Sequence, residues 1–209
     1  MLHKNTVEPG TLGTLMRLMQ LPELKQFALV GGTNLALRLG YRFSVDLDIF
    51  TNEPFDLPEV WEAVLREFPQ VLKLDERGQT LLANIDGVKI DLIKHAYPYL
   101  LPVEEIEGIR MLSIPDIIPM KLGAMARRGS KKDFWDIAYI LDHYSLSEML
   151  DFFKRKYQND DIGYVVMSLS YFDDAEKQED PIVFQKTTWA AVKNKVQDAV
   201  LDYLKKQNL

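Results

Sequence analysis

The chain has 209 residues, 47% of them hydrophobic and 27% charged, with 25 Lys+Arg against 31 Asp+Glu and a net charge of −6. That composition supports a buried core and excludes a disordered chain, and the length predicts one domain or a core with an appendage. The absence of cysteine excludes disulfides, a thiol nucleophile and any thiolate zinc site. Leu12, Leu15, Met16, Leu18 and Met19 recur at helical spacing and predict a first helix over about 11–20. Residues 27–30 read as a short buried strand stopped by Gly31-Gly32. Thr33 is then placed to cap a brief helix whose Leu35 and Leu39 share a face and which Gly40 ends. From 44 to 50 the chain alternates, with Val45, Leu47 and Ile49 on one side and Ser44, Asp46, Asp48 and Phe50 on the other, the period of a strand. A helix over 57–68 follows. Residues 71–93 are β-rich, with turn signals at Arg77-Gly78-Gln79 and Asp86-Gly87, the second leading a hairpin into 88–93. After Pro102 the pattern predicts helices near 115–127, 133–143, 145–157, 160–170 and 183–205, with 173–181 an acidic solvated loop. A mixed α/β half of about 110 residues thus precedes a helical half.

No apolar run approaches the roughly 18 residues that span a bilayer, and the first ten residues hold no signal-peptide core. A soluble cytoplasmic protein is expected. His3, His95 and His143 lie too far apart in sequence for a local metal motif and read as ordinary side chains.

The chemistry concentrates in the first half. Asp46 and Asp48, two apart on a strand, project carboxylates from one face, and like charges side by side are unfavourable unless a cation lies between them. Hard oxygen ligands without His or Cys suit Mg²⁺. Asp91, inside Ile90-Asp91-Leu92, would join them if its strand pairs beside the first, and three carboxylates could hold two metals. Gly31 and Gly32, between a strand and a helix start, let phosphate approach backbone N–H groups, with Thr33 adding a hydroxyl. Taken singly, the Gly-Gly pair is equally an ordinary turn and the Asp-x-Asp an ordinary solvated strand face.

Together, hydrophobic-Gly31-Gly32-Thr33, twelve intervening residues, Asp46-Leu47-Asp48 and a later hydrophobic-Asp91-hydrophobic resemble the polymerase-β-like nucleotidyltransferase superfamily. The longer run from Gly31 to Thr51 is similar to the AbiEii/AbiGii-type toxin nucleotidyltransferases, a bacterial family of abortive infection and toxin–antitoxin pairs. The likeness spans roughly 25–143. It implies an α+β fold, with a nucleotidyltransferase-like mixed β-sheet core flanked by helices (1–110) and a C-terminal helical region (111–209) that completes the site and core. It assigns Mg²⁺ to Asp46, Asp48 and Asp91, and nucleotide phosphates to Gly31, Gly32 and Thr33. Lys121 matches a helix lysine that contacts the triphosphate, although Pro119 would kink that helix or delay its start; an ordinary solvated lysine is the lesser alternative. Arg42 and Ser44 match an Arg-x-Ser element that binds nucleotide or only braces the loop. Lys132, Asp133 and Asp136 match a Lys-Asp-x-x-Asp element. Asp133 reads as the N-cap of a helix with core face Phe134, Ile137 and Leu141, in preference to a catalytic role, and Asp136 stays open.

The expected activity is Mg²⁺-dependent transfer of a nucleoside monophosphate from an NTP to an acceptor hydroxyl, with RNA, the tRNA 3′ end above all, as acceptor and an antitoxin as partner. The alternatives are modification of a protein hydroxyl and a nucleotide-binding module without turnover. Net charge is uneven: 42–63 carries one basic and six acidic residues, whereas 110–133 carries six basic and two acidic. The latter, with Lys121, Arg127, Arg128, Lys131 and Lys132, is where phosphate or an RNA backbone could land.

Overall fold

A computed structural model of the chain describes residues 1–207. It divides into two compact units, Met1–Ser113 and a second beginning at Ile114.

In the first unit, α1 (Pro9–Gln20) begins with proline, whose missing N–H is one that a helix start leaves unpaired anyway. It buries Thr11, Thr14, Leu15, Leu18 and Met19 along one stripe. β1 (Ala28–Leu29) runs into α2 (Gly31–Leu39), which ends at Gly40 in the left-handed conformation, φ 72°. β2 (Leu47–Thr51) and α3 (Leu57–Glu67) follow, the helix capped by Asp56, whose carboxylate accepts from the Glu59 N–H. The remaining strands are β3 (Leu72–Arg77), β4 (Thr80–Ile85), β5 (Val88–Lys94), β6 (Glu104–Ile106) and β7 (Ile109–Met111). Among the described residues they form one seven-stranded sheet in the order β3-β4-β5-β2-β1-β7-β6. The β3-β4-β5 meander is antiparallel, β2 and β5 are parallel, and β1 pairs antiparallel with β2 and parallel with β7.

The central pair decides where chemistry can sit. Leu47 faces Ile90 and Ile49 faces Leu92 across the β2–β5 ladder, and all four are buried. Burying side chains of this size stabilises the fold by about 1.5–3 kcal/mol each. Alternation then sends Asp48 and Asp91 to the other face. Behind the sheet, Phe27 meets Phe55 edge-on, centroids 5.0 Å apart. Arg110 ties the unit together, donating to the carbonyls of Phe27, Met19 and Leu24 at 2.8–3.0 Å.

The second unit is helical: α4 (Ile114–Arg128), α5 (Lys131–Ile140), α6 (Leu146–Tyr157), α7 (Gly163–Ser168), α8 (Asp173–Glu176) and α9 (Trp189–Lys206). Its aromatic centre is Phe134, Phe172 and Trp189, with centroids 4.9–5.9 Å apart. The start of α6 carries a capping box in which Ser145 and Glu148 satisfy each other's backbone N–H groups. No helix among the described residues is long and apolar enough to cross a membrane.

Several expectations are corrected. Helix α2 starts at Gly31 with Val30 at the cap position, so Thr33 lies inside the first turn and caps nothing. Strand β2 starts at Leu47, leaving Asp46 just ahead of it, and Val45 is exposed. The change to helix falls at Ile114, not after Pro102, because β6 and β7 form a hairpin first. Its turn residues Glu107 and Gly108 both take positive φ, 52° and 80°, which suits a two-residue hairpin turn. α5 is preceded by Ser130 at the cap position; Asp133 lies within the first turn, buried and ion-paired. Helix α4 passes through Pro119, which leaves the Pro115 carbonyl without its usual donor but does not break the helix. The acidic loop contains the short α8.

Candidate active site

The turn after β1 is built around two absent side chains. Gly31 has φ 69°, and a β-carbon there would stand 2.2 Å from Asp48 Oδ2. One on Gly32 would stand 2.2 Å from Arg42 Nη2. The pair therefore brings backbone against the Asp48 carboxylate and the Arg42 guanidinium. Arg42 is buried, donates to its neighbour's carbonyl at Phe43 (2.9 Å) and lies over the Tyr41 ring.

Thr33 is buried at 1% exposure, and its hydroxyl donates to the Asp46 carbonyl and shares a 2.9 Å bond with Ser44 Oγ. The Ser44 N–H in turn donates to the Thr6 carbonyl at 2.9 Å. Thr33 and Ser44 thus hold the backbone that presents Asp46, and the Thr33 hydroxyl is committed to that task.

Asp48 and Asp91 are register partners on the parallel β2–β5 ladder. Asp91 Oδ2 accepts from Lys89 Nζ at 3.1 Å, while its Oδ1 is buried with no hydrogen-bond partner among the described residues. Burial works to lower the Lys89 pKa, but the hydrogen bond to Asp91 and the charges of Asp91, Asp46 and Asp48 outweigh it and raise the value above that of an ordinary lysine. The charges of these carboxylates favour a cation beside Asp91. Among the described residues no three acidic or histidine side chains already stand at ligand distances from one point. The donor set nonetheless fits a hard divalent ion: all oxygen, one buried carboxylate oxygen unpaired, and a field that draws positive charge.

The second unit gathers the later candidates. Lys121, only 7% exposed, reaches Asp136 Oδ2 at 2.7 Å and Asp133 Oδ1 at 3.3 Å. Arg128 clasps Asp133 with two bonds, 2.7 and 2.9 Å. Lys121 is therefore not a solvated helix lysine, and Asp133 and Asp136 are its counter-ions. Lys131 is buried and paired with Asp180 at 3.1 Å, Arg127 reaches the Gly123 carbonyl of its own helix, and Lys132 is exposed. Arg110, Lys121 and Lys131 are thus engaged internally, while Arg127, Arg128 and Lys132 are exposed. Asp116 and Lys156, both fully buried and 2.8 Å apart, form another internal pair.

Among the aromatic side chains, Trp135 is buried and Trp189 packs against Phe134 and Phe172. In the Tyr97-Pro98-Tyr99 loop, Tyr97 lies against His95, and Tyr99 accepts from the Asn52 N–H. Sequence reasoning passed over Lys89, although its signal was present: two residues before Asp91 on one strand puts it on the same face.

The fold is that of nucleotidyltransferases. It is similar to a candidate nucleotidyltransferase from H. pylori, at 20% identity over 95% of this chain and 96% of that one, TM-score 0.59. It is also similar to MenT4, a nucleotidyltransferase toxin from Mycobacterium tuberculosis H37Rv, at 16% identity over 90% and 82%, TM-score 0.58. In sequence, an uncharacterised protein of Aquifex aeolicus (strain VF5) is 36% identical over 170 residues, 78% of this chain and 82% of that protein. The family model described as "Nucleotidyl transferase AbiEii toxin, Type IV TA system" matches residues 14–206. The chain belongs to the AbiEii nucleotidyltransferase toxin family, and it is a nucleotidyltransferase.

Proposed function

We propose that the protein transfers a nucleoside monophosphate from an NTP to the 3′-terminal hydroxyl of an RNA, tRNA in particular, using Mg²⁺ held by Asp46, Asp48 and Asp91. The observation that carries this reading is the register pairing of Asp48 with Asp91 directly beside the Gly31 backbone. As a toxin it would act in the cytoplasm, under an antitoxin partner.

In the reaction the acceptor oxygen forms a bond to the α-phosphorus as the bond from that phosphorus to the bridging pyrophosphate oxygen breaks, and pyrophosphate leaves with the electron pair. Asp91, with its unpaired buried Oδ1, aligns the acceptor hydroxyl and can take its proton. A divalent ion, when bound, acidifies that hydroxyl and offsets the negative charge of the leaving pyrophosphate. The backbone N–H groups of Gly32 and Thr33, at the start of α2, are free of helical partners by position and can receive phosphate oxygens. Thr33, Ser44 and Arg42 keep that turn and Asp46 in place. Family likeness assigns Lys121 to the triphosphate, a role that requires it to leave Asp133 and Asp136.

The test is to incubate purified protein with Mg²⁺, each labelled NTP and total RNA. Label is expected in the tRNA band, and a variant with Asp46→Ala and Asp48→Ala should leave none. Unchanged labelling by that variant would overturn the mechanism. Label in a protein band would make a protein the acceptor, and NTP binding without pyrophosphate release would make the chain a binding module.

A further inference from the structure

Lys89 and Asp91 lie two apart on β5 and so share the face on which Asp48 stands as Asp91's ladder partner. The Lys89 ammonium is 3.1 Å from Asp91 Oδ2, beside the strand that carries Asp48. Its side chain is 49% exposed, so the ammonium can swing toward solvent on its four-carbon stem without disturbing any core packing. We propose that Lys89 is a built-in counter-ion that neutralises Asp91, the ladder partner of Asp48, before metal arrives and opposes a divalent ion that enters, so that it sets the metal affinity of the site.

The inference rests on the reading of these carboxylates as metal ligands, and the physical argument is a competition. Without a cation, Asp91 and its ladder partner Asp48 carry like charges side by side, which is unfavourable. The ammonium relieves part of that repulsion from a position a metal would also favour. A divalent ion seated on the unpaired Asp91 Oδ1 lies beside the ammonium bound to Oδ2, and an ammonium that stays there repels it through a short, partly shielded path. Removing the positive charge therefore makes the metal-free site less stable and the metal-bound site more so. The same residue that steadies the resting protein weakens its hold on the ion.

The test is Mn²⁺ binding to the full chain, read from the electron paramagnetic resonance signal of the free ion at fixed ionic strength, with melting temperatures taken alongside. Lys89→Met is expected to tighten Mn²⁺ binding roughly tenfold, to lower the melting temperature without metal, and to enlarge the rise that Mg²⁺ produces. Lys89→Arg keeps the charge and should stay within about twofold of the original affinity. A purely structural lysine would lower the metal-free melting temperature and leave the Mn²⁺ affinity alone. Equal or weaker Mn²⁺ binding in Lys89→Met, with the parent protein still binding, overturns the role of Lys89 and spares the metal reading. Failure of the parent to bind Mn²⁺, or undiminished binding after Asp48→Asn, overturns both.

Discussion

Gly31 and Asp48 approach so closely that no side chain fits between them: a β-carbon on Gly31 would lie 2.2 Å from Asp48 Oδ2 and 3.0 Å from its Cγ, at a backbone φ of +69°. The backbone of one strand–helix turn is thus moulded around a carboxylate on the next strand. Gly31→Ala adds both the clash and a left-handed alanine, which costs about 1–3 kcal/mol. If Asp48 gives way by about an ångström, nucleotidyl transfer should fall about 10²-fold or more. Urea midpoints and initial transfer rates measure the two effects separately; a variant with parental rate and stability would show that the contact is not tight.

Thr33 supports Asp46 by its hydroxyl. Thr33→Val keeps the shape and removes the donor, stranding a carbonyl and the Ser44 hydroxyl in a nearly dry site, at about 1–3 kcal/mol. Transfer should drop with it, since the backbone presenting Asp46 loosens. Thr33→Ser retains the hydroxyl and should recover most of both. If valine and serine behave alike, the hydroxyl has no such role.

Asp116 and Lys156 are an ion pair with neither side chain exposed. Removing one member takes this counter-ion from a fully buried charge, so Asp116→Ala or Lys156→Met alone should cost about 3–5 kcal/mol. Replacing both by apolar residues, Asp116→Leu with Lys156→Met, should return stability to near the starting value. A double-mutant cycle in urea reads the coupling directly. Additive losses would mean that the two charges do not sense each other.

The capping box of α6 supplies a pH dependence. Hydrogen bonds from the Ser145 side chain and backbone hold the Glu148 carboxyl below the usual glutamate range. A depressed folded value means that the contribution is fully present above the ordinary glutamate pKa and is lost as pH falls through the folded one. The stability gap between the parent and Glu148→Gln should accordingly be widest near neutrality and close under acid conditions. Thermal melts across that range would show it, and a constant gap would contradict it.

Local patterns carried much of this. The alternation around Leu47 and Ile49, the turn glycines and the Ile90-Asp91-Leu92 triplet were readable because each depends on neighbours a few residues away. The β6–β7 hairpin was not, since Glu104 and Glu105 have low strand propensity and its pairing is completed by Leu29, 82 residues before Met111. Asp133 misled for a related reason: an acid in the first turn of a helix looks like a cap, whereas its partners Lys121 and Arg128 come from the helix before it.

The net charge of −6 and its uneven spread follow from the amino-acid sequence by itself, as do the Asp-x-Asp spacing, the Gly-Gly turn and the class of chemistry they suggest. What the basic segment 110–133 does with its charge was decided only in three dimensions. Arg110 turns inward to backbone carbonyls, Lys121 and Arg128 pair with Asp133 and Lys131 with Asp180, while Lys89, in a stretch of no special charge, stands against Asp91. Charge along a chain is a sum, but electrostatic energy depends on distance and burial, and those are properties of the folded protein.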